Sequence, residues 1–95
     1  MGKNLNLSIY KEYYDQIKAG KKTIEYREIK DYYTKKFIVD GRVPGTGPLK
    51  AVHFDTVTFH TKEGDPAMKV KWLGLMLYPK DNPKWYAIKL GEIVK

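Results

Sequence analysis

Cysteine is absent from this sequence of 95 residues. That excludes disulfides and thiolate metal sites and fits a reducing, cytoplasmic setting. Also missing is any apolar run near the roughly 20 residues of a membrane span. Met1-Gly2-Lys3-Asn4-Leu5 lacks the hydrophobic region of a signal peptide, and Asn6 stands where a myristoylation signal has Ser or Thr. No serine nucleophile elbow, phosphate-binding glycine loop or thiol nucleophile is found. Gly45-Thr46-Gly47 is too short for such a loop, and no helix is expected after it. Arginine is scarce, with only Arg27 and Arg42. Acidic residues are outnumbered, 11 Asp plus Glu against 18 Lys plus Arg, giving a net charge of +7. A lysine-rich excess favours polyanion partners: nucleic acid or nucleotides first, and an anionic membrane surface after them. It suits phosphate contact better than bidentate base reading.

What is present fits one domain over residues 1–95. A chain this short buries only about 60% of its unfolded surface, so the core is thin. Its most informative segment is Gly20-Lys21-Lys22-Thr23-Ile24-Glu25-Tyr26-Arg27. Glycine follows an expected helix, a lysine pair comes next, and then a strand. Strand side chains alternate between faces. Glu25 and Arg27 therefore share one face, while Ile24 and Tyr26 are expected to enter the core on the other. Lys22 lies just before the strand. Two cations and a carboxylate can thus converge on one volume, which suits an anionic or polar ligand.

Leu5, Leu7 and Ile9 alternate with polar residues and predict a first strand. Tyr10, Tyr13, Tyr14 and Ile17 recur at helical spacing and predict one apolar stripe. Ser8 is the expected N-cap of that helix and Gly20 its C-terminal stop. A second strand is expected over Thr23–Ile29. Asp31 is the expected cap of a short helix from Tyr32 to Phe37. Asp40–Pro48 holds three glycines and two prolines, which forbid helix and central strand and predict a long surface loop. Val52 and Phe54 alternate, then Val57 and Phe59 do so in the opposite phase, which implies a turn or bulge near Asp55-Thr56. Thr61–Pro66 and Pro79–Pro83 read as turns. Met68, Val70 and Trp72 form one apolar face, and Leu73, Leu75 and Leu77 another. The slip beside Gly74 predicts a strand bending at a barrel corner. Tyr86, Ile88 and Leu90 mark a last strand. No βαβ rhythm is visible, so a doubly wound sheet is not expected. The expected fold class is α+β: a small, mainly antiparallel β-barrel of five to six strands with two short helices packed on it.

The pattern Gly-x-Lys-x-x-Glu-x-Arg, carried by Gly20, Lys22, Glu25 and Arg27, resembles that of the ASCH domain, a branch of the PUA-like barrels. Phe54-Asp55-Thr56-Val57-Thr58-Phe59-His60 and Tyr86-Ala87-Ile88-Lys89-Leu90-Gly91 resemble small bacterial and phage members. The resemblance spans nearly the whole chain. It implies a PUA-like barrel, a cleft between barrel and helices lined by the motif residues, and RNA or nucleotide-related ligands. Some relatives are ribonucleases, and others are amidohydrolases acting on N4-acylated cytidines through a lysine, a threonine and a glutamate. Lys22 matches that lysine, whereas Glu25 stands at the threonine position.

Lys22, Glu25 and Arg27 are accordingly the expected ligand site. Arg27 is suited to fork onto a phosphate or base edge. Lys22 is suited to act as a point charge or general base, and Glu25 to orient either cation or carry a proton. Lys21 adds charge beside them. Tyr32 and Tyr33 are the expected stacking residues, and His60 a hydrogen-bonding group near the cleft. Tyr14 and Tyr26 are read as structural. His53, Asp55 and His60 offer too few ligands on a common face for a metal site, so neither metal nor cofactor is expected. The leading expectation is an RNA- or nucleotide-binding domain. The alternatives are a metal-independent ribonuclease or amidohydrolase using Lys22 and Glu25 in the same cleft, and a protein-interaction module using the Pro44–Pro48 loop.

Overall fold

The computed structural model describes residues 2–39 and 50–94. The elements run β1 (Asn4–Ser8), α1 (Lys11–Lys18), β2 (Ile24–Glu28), α2 (Asp31–Phe37), β3 (Thr56–His60), β4 (Met68–Tyr78) and β5 (Trp85–Ile93). The strands form one five-stranded sheet in the order β1-β3-β4-β5-β2. It curls into a half-barrel, giving an α+β architecture. Three of the four pairings are antiparallel, but β1 runs parallel to β3. The sheet is therefore mixed. The chain passes through α1, β2 and α2 between β1 and β3, and a long crossover of that kind permits parallel pairing. The expected loop over Asp40–Pro48 lies outside the described residues.

The core fills the concave side. Leu5 and Leu7 of β1, Val57 and Phe59 of β3, Val70 and Trp72 of β4, and Tyr86, Ile88 and Leu90 of β5 are all buried there. Both helices supply one buried stripe, Tyr14 and Ile17 from α1 and Thr34 and Phe37 from α2. The Tyr33 and Phe37 rings, one helical turn apart, stack at 5.7 Å. Thr34 and Tyr86 hydroxyls share a buried hydrogen bond of 2.5 Å that ties α2 to β5. Burial holds the Tyr86 phenol above its ordinary pKa, against the pull of the Thr34 bond.

The α1 stripe is narrower than the spacing predicts, because Tyr10 and Tyr13 are exposed. Tyr10 takes the N-cap position without a side-chain bond. Ser8, the expected cap, instead ends β1. Likewise Asp31 is the first residue of α2, and Lys30 precedes it as an N-cap with no side-chain bond. Val52–Phe54 forms no strand. The phase change there is the start of β3, where the Asp55 carboxylate accepts the Lys3 backbone N–H at 2.7 Å. The expected irregularity near Gly74 is present. Gly74 has φ 153°, and the β4–β5 register shifts between Val70 and Gly74.

Candidate functional site

The local sequence delivers Lys22 to its place through the end of α1. Gly20 adopts φ 77°, a left-handed conformation that costs glycine least. Its N–H donates to Ile17 C=O at 3.0 Å and the Lys21 N–H to Gln16 C=O at 2.9 Å. That pair of bonds is the Schellman ending of a helix. The chain then turns directly into β2, with Lys22 at the bend.

Among the described residues β2 is an edge strand, paired only with β5. Glu25 stands opposite Ile88 and Arg27 opposite Tyr86. Both partners are fully buried, so Glu25 and Arg27 lie on the core-facing side at the sheet's margin. Tyr26 points to the outer face and is 42% exposed. The expectation that Ile24 and Tyr26 enter the core is thus reversed. On an edge strand the concave face ends in a cleft, and a charged pair can occupy it while staying largely shielded.

The Glu25 carboxylate, 6% exposed as a residue, holds both cations. Its Oε1 lies 3.3 Å from Lys22 Nζ. Its Oε2 lies 2.7 Å from Arg27 Nη2 and accepts from Arg27 Nε at 2.9 Å. Arg27 also donates from Nη1 to Tyr33 Oη at 3.0 Å and from Nη2 to Ser8 C=O at 2.8 Å. Burial pulls the Arg27 guanidinium down in pKa, but the charge of Glu25 and the hydrogen bonds to Tyr33 and Glu25 leave it above its ordinary value. Three of its five N–H groups donate hydrogen bonds and Nη2 also lies against Glu25, so Arg27 is not a free fork for a ligand. It is a clasp joining β1, β2 and α2.

Lys22 differs. Its Nζ donates to Ile24 C=O at 2.7 Å and meets Glu25, leaving one ammonium N–H without a partner among the described residues. The ammonium also lies 5.3 Å from the Tyr13 ring centroid and 5.8 Å from that of Tyr26, within cation–π range.

These groups line a cleft of about 870 Å³. Ser8, Ile9, Tyr10 and Tyr13 form the β1–α1 side. Lys22, Glu25, Tyr26 and Arg27 form the β2 side, with Tyr33 of α2, Trp85 of β5 and Lys62 and Glu63 of the β3–β4 turn completing it. Lys22, Arg27 and Lys62 face Glu25 and Glu63 in the lining, so positive charge is in excess by one. Such a site can hold a single anionic group against Lys22 with an aromatic ring system beside it.

Of the residues expected from sequence, Lys22, Glu25, Arg27 and Tyr33 line the cleft. Lys21, Tyr32 and His60 do not. Tyr32 is 60% exposed and has Lys36 Nζ 5.0 Å from its ring. The His60 ring Nε2 pairs with Asn6 Oδ1 at 3.0 Å. Sequence reasoning left out Tyr10, Tyr13, Tyr26, Trp85, Lys62 and Glu63. Tyr10 and Tyr13 carried a signal, since they fall on the margin of the helical stripe rather than its centre. The turn residues carried none. Among the described residues, no group of three His, Asp or Glu side chains is placed to hold a metal ion, and no helix is long and apolar enough to cross a membrane. No family model, curated protein or solved structure matches the chain.

Proposed function

We propose that this chain is an ASCH-like, PUA-type domain that binds RNA or a nucleotide-related ligand in the cleft above Lys22. The observation that carries the reading is the shielded Lys22–Glu25–Arg27 cluster, with its one surplus positive charge, at the base of an aromatic-walled cleft. An anionic group pairs with Lys22, and a base lies against the exposed rings of Tyr13, Tyr26 or Trp85. The sequence pattern Gly20, Lys22, Glu25, Arg27 supports the family reading, and the curled mixed sheet is compatible with it. Arg27 acts by positioning Glu25 and Tyr33, and Lys22 is the ligand contact.

Titration calorimetry with uridine and cytidine monophosphates and short oligoribonucleotides tests this. Lys22→Ala should weaken binding about tenfold, the weight of one charge-assisted hydrogen bond. Absence of saturable binding to any of them, or an unaltered affinity in Lys22→Ala, would overturn it.

One observation favours an enzymatic variant of the same reading. Glu63 brings a second carboxylate to the cleft, so Lys22 and two carboxylates face one volume, as charge stabiliser and proton carriers. Incubation with RNA and with N4-acetylcytidine in the presence of EDTA decides. Turnover that disappears in Lys22→Ala and Glu63→Gln supports the enzyme, and turnover no greater than in those variants removes it.

A further inference from the structure

From the outer face of the sheet we infer a second binding element: a stacking platform for single-stranded polynucleotide, continuous with the cleft and resting on the nucleic-acid reading above. Cross-strand partners share a face. The register sets Tyr78, Trp85 and Glu28 abreast, and one pleat further Met76, Ala87 and Tyr26. Four of these side chains are large, apolar and open to solvent: Tyr78 at 54%, Met76 at 51%, Tyr26 at 42% and Trp85 at 41%. The Tyr26 and Tyr78 rings meet at 5.8 Å. The contrast lies within one strand. Before Gly74 the exposed positions of β4 include Lys69 and Lys71, and beyond the bulge they become Met76 and Tyr78. Two adjacent aromatic rows are thus set about 6.8 Å apart along the strands, far enough to take successive bases of an extended single strand.

Charge selects a polyanion as occupant. Lys89 lies on the same face, abreast of Ile24. Lys80 and Lys84 are exposed at the β4–β5 turn, and the Lys22 ammonium sits 5.8 Å from the Tyr26 ring. Glu28, on the platform's margin, has Lys30 Nζ 3.9 Å away, and Asp81 is the one acid in the turn. Cationic flanks around exposed rings are the arrangement that holds single strands by stacking and phosphate contact. Tyr26 and Trp85 also line the cleft. A strand with one nucleotide at Lys22 can therefore continue over the β2–β5 margin onto Tyr78 and Met76, and the preferred ligand is an oligonucleotide rather than a free nucleotide.

Fluorescence anisotropy with end-labelled hexauridylate, beside calorimetry with uridine monophosphate, separates the two sites. Tyr78→Ala should weaken the hexamer about tenfold and leave the monophosphate unaffected. Tyr78→Phe should restore hexamer affinity, and Met76→Ala should weaken the hexamer independently if Tyr78→Ala fails to fold. Lys22→Ala should weaken both ligands. Equal hexamer affinity in wild type, Tyr78→Ala and Met76→Ala overturns the platform, while the response of the monophosphate to Lys22→Ala still reports on the cleft. A patch that serves self-association also overturns it: sedimentation would show a concentration-dependent dimer lost in Tyr78→Ala, with hexamer binding intact.

Discussion

Glu25 is the residue on which the site turns. It is nearly buried and balances two cations that are themselves 16% and 14% exposed as side chains. Removing one partner of a shielded cluster leaves charge without compensation, which costs more than the cluster itself contributes. Glu25→Gln keeps the shape and loses the charge. It should destabilise the fold by about 2–3 kcal/mol and loosen Lys22, seen in urea denaturation as a lower midpoint with unaltered slope. A milder effect attaches to Asp65. Its carboxylate accepts from Lys11 Nζ at 2.8 Å and from the Thr61 hydroxyl at 2.6 Å. The Lys11 bond and then the Thr61 bond hold its pKa below the ordinary 3.8, against a small opposing effect of burial. A carboxyl with a depressed folded pKa contributes stability above its unfolded value and loses it as pH falls through the folded one. The thermal-midpoint advantage of wild type over Asp65→Asn should therefore be full above about pH 4 and vanish on further acidification.

Elements matter through their ends and edges. The Schellman ending of α1 decides where Lys22 emerges, and it depends on the positive φ of Gly20. A Cβ there meets no atom within 4 Å, so the penalty for Gly20→Ala is purely conformational. It should cost about 1 kcal/mol and, by shifting the bend, weaken ligand binding more than the stability loss explains. Calorimetry beside a thermal melt separates the two effects. The β3–β4 turn is fastened to α1 by the Lys11–Asp65 pair and by Tyr14 Oη donating to Pro66 C=O at 2.7 Å. Those bonds hold the turn against α1, and with it Lys62 and Glu63 in the cleft wall.

At the scale of the molecule, β1 and β2 are the two margins of one curled sheet, and among the described residues no backbone ladder joins them. Arg27 spans the gap through Ser8 C=O. The half-barrel is therefore closed at this seam by a side chain, and the cleft lies along it. Arg27→Met retains the apolar stem but drops every bridge. Hydrogen exchange should then quicken selectively in β1 and β2 while β4 and β5 stay protected. Uniform acceleration would show a global loss instead, and no change would remove the clasp role.

Much of this was legible in the residues. Alternation at Leu5–Ile9, the helical spacing of Tyr14 and Ile17, and the phase slip at Gly74 all report local geometry, because backbone periodicity is imposed residue by residue. The same logic placed Glu25 and Arg27 on one face. Which face meets the core is a different matter. It depends on which strand neighbours β2, and β5 lies about sixty residues further along the chain, beyond the reach of local pattern. Pairing with β5 turned Glu25 and Arg27 inward and Tyr26 outward. The parallel pairing of β1 with β3 and the arrival of Trp85 and Glu63 at the cleft share that cause. The sequence alone determined the elements, the basic charge and the proximity of Lys22, Glu25 and Arg27. Tertiary packing alone decided that Arg27 is consumed as a clasp while Lys22, among the described residues, keeps one N–H for a ligand. A side chain's hydrogen-bond partners are set by groups that only folding brings within 3 Å.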